Sequence, residues 1–537
     1  MRSKNMKSTI RKTYLVLALA LAAALLVAPS ANAATPGITS TNGTAGTFNL
    51  TAQWGYTTQP DGRSVYTWGY GCAAGSAPAF LPAMNLPGFC NAMQLPGPTL
   101  IVTENQPVTV TLTNNLPSAA GNTSILFPGF NVTTSGGVPG LLTQEAATGS
   151  TVTYNFTPSS PGTHAYYSGT QGDLQVEMGL FGAIVVLPAN VPSQCTSGLP
   201  LTNPGGNGKA QIAWHESDFR LAGSAYDNAS TCYDREYLFQ FSEMDPNIHR
   251  QALNQVTAAG NCVAGAAGCS LNVPTEPYHP GYFLINGRSM PDDMDPNYAQ
   301  QYPNQPYNGD PHMHPGEIVL LRIIGQGRWQ HPFHEHGNHV RILARDGNLI
   351  LTPDGTALAG PLLFTTTTTP GVAMDGLFYW SGKGLNWDAY GHNPTSSDVS
   401  AKLPCTPDSN GYNTGAPSAI NYFEWCADHN KPLQVAPFGD LPGGGPATLP
   451  DPNIFTNGPW YGGSPYLGPN ATARAVGQTG TTPPAGTIAN SPATEAGFAF
   501  MWHSHNEREI TTDNMFPGGM LMMMLVDSRE FVIDETN

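Results

Sequence analysis

Two short histidine-rich runs, far apart in the sequence, hold the side chains best suited to metal chemistry. Residues 331–336 read His-Pro-Phe-His-Glu-His, and residues 502–505 read Trp-His-Ser-His. The nitrogen of a neutral imidazole is a good ligand for copper, zinc, iron or nickel. Each histidine could instead be an ordinary hydrogen-bonded residue of a strand. Two such runs beside aromatic residues favour a metal site.

These runs can converge only if each lies on a strand. Successive side chains of a strand point to opposite faces. His334 and His336 therefore share a face, and so do His503 and His505. If the two strands are neighbours, four imidazoles meet at one place.

The composition predicts an all-β protein. Charged residues make up only 11% of the chain, while glycine (60) and proline (49) are abundant, which is typical of short strands joined by many turns. Short alternating segments, such as 98–104, 107–113 and 151–156, are broken by proline and glycine. This pattern indicates a β-sandwich.

The chain is predicted to contain two such units. The first spans residues 45–190, and a glycine-rich linker around 197–208 leads into a second unit at 208–530. The second unit is too long for one sandwich. Its excess lies at about 386–495, a stretch rich in Pro, Gly, Asn, Ser and Thr. We interpret this stretch as a long surface insertion, either functional or merely of low complexity.

An internal repeat relates the two units. Residues 161–169 match residues 496–505, and each segment is followed by a Gly-rich start to an apolar strand. Aligned on their serines, Tyr167 corresponds to His503 and Gly169 to His505. Only the second copy carries ligand-type side chains, so the histidines are a site added to a shared scaffold.

The amino terminus has the features of a secretory leader. Five basic residues precede an apolar run from Tyr14 to Val27, and an Ala-x-Ala sequence ends at Ala33. The run is too short for a membrane span, and no later stretch of twenty apolar residues is present. Without an adjacent arginine pair, the leader fits the general secretory route. We expect residues 1–33 to be removed and the protein to be secreted or periplasmic.

The net charge and the cysteine content limit the possible binding partners and the cellular compartment. Removing the leader takes the formal net charge from −16 to about −21, which argues against binding to nucleic acid or an anionic membrane. The eight cysteines, with no C-x-x-C motif, suit disulfides in an oxidising compartment. Proximity in sequence suggests these pairs: Cys72–Cys90, Cys195–Cys232, Cys262–Cys269 and Cys405–Cys426.

The histidine runs resemble motifs of the multicopper oxidases. Residues 331–337 are similar to the H-P-x-H-x-H-G copper motif of that family. Residues 502–505, with the later Gly519-Met520, are similar to its H-C-H motif and trailing G-M. Further similarity, covering most of the mature chain except the insertion, lies at residues 96–100, 179–183, 283–288 and 340–347.

This resemblance implies tandem cupredoxin-like Greek-key β-sandwiches that bind copper. In the family, a mononuclear copper takes electrons from substrate through a cysteine thiolate and passes them to a trinuclear cluster that reduces oxygen to water. Carried over by position, the metal-binding residues are His331 at the mononuclear copper, Met520 near its axial position, and His334, His336, His503 and His505 at the cluster.

Several positions depart from the family pattern. Ser504 replaces the thiolate ligand, and a hydroxyl cannot form the copper–sulfur bond of a blue site. Glu509 replaces the second histidine of the mononuclear copper, and residues 511–517 form an insertion before the Gly-Met pair. In the first unit, residues 125–129 and 167–169 lack the expected histidines. Half of the eight cluster histidines are therefore missing.

Three functions remain open on this sequence. The first is an exported copper-binding protein that acts as an atypical metal-dependent oxidoreductase without a blue type 1 site, using a small reducing substrate or oxygen. The second is a non-catalytic copper sequestration or delivery protein, and the third a structural cupredoxin that has lost its cofactor. The histidines, with Glu507 or Glu509 nearby, suffice for a mononuclear or binuclear centre; no catalytic residue is assigned.

Three smaller features near these motifs could also bear on metal binding. We expect Glu335, between two ligands, to point to the opposite face, where it lies at the surface or supports the ligands. The His312-Met-His314 pair is more often incidental than a second metal loop. Met515 and Met520 are the two methionines that could serve as copper ligands.

Overall fold

The protein is described by a computed structural model. It covers residues 35–83, 88–196, 223–383, 406–415, 425–427, 463–467, 488–489, 496–527 and 533. The predicted leader, the linker, most of the predicted insertion and Cys405 lie outside these residues. The predictions made for them are not tested by the structure.

The first unit is a sandwich of two five-stranded sheets, ordered β11-β12-β5-β1-β4 and β3-β2-β6-β10-β7, with a β8-β9 ribbon. Its strands are β1 (Gly37–Ser40), β2 (Thr47–Thr58), β3 (Ser64–Cys72), β4 (Ala79–Leu81), β5 (Leu100–Thr103), β6 (Val108–Asn114), β7 (Thr133–Gly136), β8 (Val138–Pro139), β9 (Gln144–Glu145), β10 (Thr151–Phe156), β11 (Gly162–Tyr167) and β12 (Phe181–Leu187).

Alternation of apolar and polar residues builds this sandwich. Along β6, Val108, Val110 and Leu112 are buried, while the threonines between them are partly exposed. Strand β10 pairs with β6 so that Val110 lies opposite Tyr154, and both side chains enter the same core. The two-residue period predicted these strands because it follows the pleat of the sheet.

The second unit is a larger sandwich. One sheet is ordered β16-β15-β18-β24-β20-β21, with β22 beside β20; the other is ordered β17-β28-β27-β19-β23, with β25 and β26 at its edge. Its strands are β13 (Gly223–Ser224), β14 (Cys232–Tyr233), β15 (Arg235–Met244), β16 (Tyr282–Ile285), β17 (His312–Met313), β18 (Ile318–Gly325), β19 (His331–Glu335), β20 (Val340–Arg345), β21 (Asn348–Leu349), β22 (Leu362–Leu363), β23 (Thr365–Thr368), β24 (Ala373–Tyr379), β25 (Gly463–Leu467), β26 (Ile488–Ala489), β27 (Ala496–Ser504) and β28 (Leu521–Asp527).

Helical structure is sparse in the described residues. The α-helices are α1 (Gly172–Gln175), α2 (Ser193–Thr196) and α3 (Pro246–Ala259), and short 3-10 turns cover 118–120, 229–231 and 292–294. Helix α3 is capped by Asp245, whose carboxylate accepts a hydrogen bond from the backbone N–H of Asn247, with Pro246 in the first turn. None of the described helices is long and apolar enough to cross a membrane.

These observations confirm the predicted fold class, an all-β chain of tandem cupredoxin-like sandwiches. Three of the four predicted disulfides are also confirmed: Cys72–Cys90, Cys195–Cys232 and Cys262–Cys269. The fourth pair includes Cys405, which is outside the described residues. The limits of the two units stay predictions.

The two units meet through buried charged groups. Strand β11 of the first unit packs on β18 and β24 of the second. Arg322 of β18 is fully buried; its Nε lies 2.7 Å from an oxygen of Glu236, and its Nη1 donates to Thr163 of β11 over 3.0 Å. Thr163 in turn donates to Asp375 over 2.6 Å. Arg322, Thr163 and the carboxylates of Glu236 and Asp375 therefore form one hydrogen-bonded group that links the two units.

We predict that Arg322→Ala destabilises the protein by about 3–5 kcal/mol, because removing one partner of a buried ion pair leaves its carboxylates unpaired. The check is the free energy of unfolding from chemical denaturation. Arg345→Ala, at an exposed position of β20, is the control and should change it by less than about 0.5 kcal/mol. Equal effects of the two substitutions would contradict the role of Arg322.

Candidate metal centre

The pairing of β19 with β27 decides which side chains of the two histidine runs can meet. The strands are antiparallel, with Phe333 opposite Ser504, His334 opposite His503 and Glu335 opposite Trp502. Residues directly opposite each other in such a pair share a face of the sheet. His334 and His503 therefore lie side by side on one face. Phe333 and Ser504 lie on the other face, which packs inside the sandwich.

Three imidazoles converge on the outer face of this pair. The ligand nitrogens of His334, His336 and His503 all lie within 4.8 Å of one another. The Nε2 atoms of His336 and His503 are 3.2 Å apart. These three side chains are buried, whereas His505 is exposed, with its ring centroid 4.9 Å from that of His334. The convergence expected from strand alternation is thus present, with His505 at its solvent side.

Burial and crowding keep two of the rings uncharged. Burial, followed by repulsion from His336, His503 and His505, lowers the pKa of His334 to about 4. Burial is also the main cause of the lowered pKa of His503. A neutral imidazole offers a lone pair to a metal, whereas a protonated one does not. The donor set therefore suits a metal ion that imidazole binds, such as copper.

Hydrogen bonds orient the rings. His503 donates from Nδ1 to the carbonyl oxygen of Ser504 over 2.7 Å, which leaves its Nε2 as the atom with a lone pair. Nδ1 of His334 is hydrogen-bonded to the hydroxyl of Thr365 at 2.8 Å. The indole N–H of Trp502 donates to the carbonyl of His336 over 2.8 Å. Contacts of this kind fix ring orientation in metal sites.

Glu335 points away from the histidines, as expected from its place between two of them. Its side chain is fully buried in the sandwich rather than at the surface, and it accepts a hydrogen bond of 2.8 Å from Thr366. Burial raises the pKa of Glu335 to about 8. At neutral pH this carboxyl is therefore mostly protonated, and it is not a ligand of the cluster.

His331 lies outside the histidine cluster. Its ring is between the two sheets, where Nδ1 is 2.8 Å from Glu509 and Nε2 is 3.0 Å from Glu243. The hydroxyl of Ser504 also donates to Glu509, over 2.5 Å. Three positions that the family resemblance assigned to one mononuclear copper are therefore together in space. They are joined by hydrogen bonds among themselves and to Glu243.

Met520 is placed near this second group. It is fully buried in the apolar core, and its backbone exchanges hydrogen bonds with Ser504 and Glu509. Met515, in contrast, is 59% exposed.

These residues do not fit a mononuclear blue copper. No thiolate is present, and both ring nitrogens of His331 already face carboxylates. Burial alone would lower the pKa of His331, but hydrogen bonds and charges from Glu243 and Glu509 outweigh it and raise the pKa to about 9. The ring is therefore a cation at neutral pH. It occupies the position at which the family resemblance predicts a ligand of the mononuclear copper.

Comparison with known proteins agrees with the motifs. Residues 88–191, in the first unit, match the family model of the multicopper oxidases. This part of the chain is therefore similar to the multicopper oxidases. Comparison with curated protein sequences gives no match.

Solved multicopper oxidase structures are similar to this chain at low identity. A blue copper oxidase from Nitrosomonas europaea is 14% identical, with a TM-score of 0.42 over 89% of this chain and 84% of that one. The multicopper oxidase mgLAC is also 14% identical, with a TM-score of 0.42 over 91% and 88%. A copper nitrite reductase from Nitrosomonas europaea is 16% identical, with a TM-score of 0.35 over 61% and 83%.

The first unit repeats the hairpin around Ser504 without the histidine ligands. The N–H of Ser168 donates to the carbonyl of Leu180 just as that of Ser504 donates to Met520, both over 3.0 Å. A Cβ on Gly169, which aligns with His505, would come within 2.8 Å of the side chain of Leu126. A side chain at the aligned position would therefore require Leu126 to move.

Sequence reasoning missed Glu243 because no local pattern marks it. It lies in β15, 88 residues from His331, and reaches the ring only when the two sheets pack together. The other histidine pair has structural partners. His312 is bonded to Asp527 at 2.6 Å, and His314 to the backbone oxygen of Asp527 at 2.9 Å. This agrees with the plainer interpretation given to that pair.

We predict that the free energy of unfolding falls as the pH becomes alkaline, because His331 loses its charge. Its folded-state pKa of about 9 is above the ordinary value of 6.5. The stabilisation, of about 3 kcal/mol, is fully present below pH 6.5 and is lost as the pH rises through about 9. Urea denaturation between about pH 6 and pH 10 measures this loss, since that range contains both pKa values.

Glu509→Gln is the matched variant for this prediction. It keeps the size and the hydrogen bonding of the side chain but removes one carboxylate beside the ring. The pKa of His331 should fall, so the loss of stability should begin at lower pH than in the wild type. Identical pH profiles for the two proteins would show that the ring carries no such charge.

Proposed function

We propose that this protein is an exported copper-binding protein whose second unit holds copper through His334, His336, His503 and His505. We further propose that it is an atypical metal-dependent oxidoreductase without a blue mononuclear centre. The observation that carries the proposal is the convergence of three imidazoles within 4.8 Å. The match of residues 88–191 to the multicopper oxidase family model supports copper as the metal.

The chemistry of the donor set supports copper binding. Imidazole nitrogen suits copper, and such a site keeps a bound copper ion able to change oxidation state. The chain supplies three buried rings from two strands whose register is fixed by the sheet. It also keeps His503 in the tautomer that presents Nε2 to the cluster.

The exposed side of the cluster supports access by a small molecule. His505 is exposed, and Phe364, whose ring centroid is 5.6 Å from that of His334, is 45% exposed. A reducing substrate such as a phenol can therefore approach the histidines directly. In the described part of the chain, the positions that would hold a mononuclear copper are not open to one, because His331 and Ser504 are both hydrogen-bonded to Glu509.

The hydrogen-bonded group of His331, Ser504 and Glu509 favours a second candidate function, which is copper sequestration or delivery without turnover. A site that lacks a relay for electrons can still bind copper tightly. The two candidates share the ligands and differ only in oxygen consumption. Export to an oxidising compartment, supported by the disulfides, suits either of them.

We predict stoichiometric copper in the reconstituted mature protein, with no intense blue absorption band. His334→Ala and His503→Ala should each weaken copper binding by about 100-fold or more, since each removes one of the few ligands. Elemental analysis and competition with a copper chelator measure this, and visible and EPR spectra test for the blue centre.

The control is His279→Ala, which removes an exposed histidine outside the cluster and should leave copper binding unchanged. A wild-type protein that retains no copper, or variants that all bind it equally, would reject the proposed site. Oxygen uptake with a phenolic donor then separates the candidates. Uptake that is lost in His334→Ala supports the oxidoreductase, and copper binding without uptake on any donor supports sequestration.

A further inference from the structure

A cavity of about 340 Å³ lies where the start of β3 in the first unit faces the first turns of α3 in the second. Its volume is in the range of small-molecule sites. None of the candidate copper ligands lines it. The lining residues are Arg63, Ser64, Val65, Tyr66, Pro246, His249, Arg250 and Leu253.

Two guanidinium groups line this cavity in a chain of net negative charge. The sequence has 37 acidic and only 21 basic residues, yet the turn before β3 contributes Arg63 and α3 contributes Arg250. Arg63 is ion-paired with Asp513 at 2.8 Å and with Asp61 at 3.5 Å, so its charge is already compensated. Arg250 donates to the amide oxygen of Asn247 at 2.7 Å, and within the described residues it forms no ion pair. Its positive charge is therefore available to an anion.

The rest of the lining is largely apolar and aromatic. Val65, Pro246 and Leu253 supply aliphatic surface. The ring of Tyr66 continues into an exposed aromatic group, with Trp54 at 6.0 Å and Tyr56 at 5.8 Å between ring centroids. Burial raises the pKa of Tyr66 to about 12, so its hydroxyl adds no negative charge that would repel an anion.

The floor of the cavity is held in place before any ligand binds. The side chain of His249 is hydrogen-bonded through Nδ1 to the backbone oxygen of Tyr66 at 2.5 Å, and through Nε2 to that of Glu177 at 3.1 Å. These bonds join α3 to the first unit. A preformed site loses less conformational entropy on binding than a flexible one.

We propose that this cavity binds a small aromatic carboxylate. The ring of the ligand packs against Tyr66, Val65 and Leu253, and its carboxylate accepts charge-assisted hydrogen bonds from Arg250. A bare inorganic anion would leave the aliphatic lining without a partner, and an uncharged aromatic molecule would leave Arg250 without one. This inference is independent of the proposed copper function.

The test uses benzoate as the probe with the whole mature protein, with and without copper. Isothermal titration calorimetry measures binding, and the fluorescence of Trp54, which is 51% exposed beside Tyr66, is a second signal. We expect a dissociation constant in the millimolar range or below. Arg250→Gln should weaken binding by about tenfold or more, as expected for the loss of a hydrogen bond to a charged group.

Arg345→Gln is the control, since Arg345 is an exposed arginine on β20 and does not line the cavity; it should bind benzoate as the wild type does. Benzyl alcohol and acetate probe the ring and the charge separately, and each should bind more weakly than benzoate. The proposal is overturned if benzoate does not bind, if Arg250→Gln binds it equally well, or if acetate or inorganic phosphate binds as tightly.

Discussion

The register between β19 and β27 is the constraint on which both histidine-containing groups depend. With His334 opposite His503, these two rings share one face, and the rings of His336 and His505, just beyond the strand ends, lie beside them. Phe333 and Ser504 project into the sandwich. A shift of one residue in either strand would exchange the faces of all its side chains. The buried set, which includes Trp502 and Phe333 in the apolar core, makes such a shift costly. The same packing that stabilises the sheet thus positions the candidate ligands.

The pKa of histidine is shifted in opposite directions on the two faces of this strand pair. On the outer face the rings have other imidazoles as neighbours, and burial lowers the pKa of His334 and His503. Between the sheets, His331 has two carboxylates as neighbours, and its pKa is raised in spite of equal or deeper burial. The sign of the neighbouring charge decides the outcome. One face therefore suits a metal, and the other holds a proton where a metal would otherwise be expected.

Local pattern was sufficient to predict the outer face but not the inner one. Alternation along a strand requires only that residues 334, 336, 503 and 505 be extended, and the fold class and three disulfides followed from similarly local signals. The partner of His331 on β15 depends on how two sheets stack, which no short sequence pattern encodes. The cavity between Arg63 and Arg250 is a further example, since its two sides come from different units.

The first unit shows what the scaffold does without ligands. Its hairpin keeps the hydrogen bond from Ser168 to Leu180 that matches the one from Ser504 to Met520. Leu126 fills the space beside Gly169, and β11 instead packs on β18 and β24 of the second unit around Arg322. Because this hydrogen bond forms in both copies, the hairpin does not require the histidines. The candidate metal ligands therefore belong to one copy, while the other copy contributes contact surface and one wall of the arginine-lined cavity.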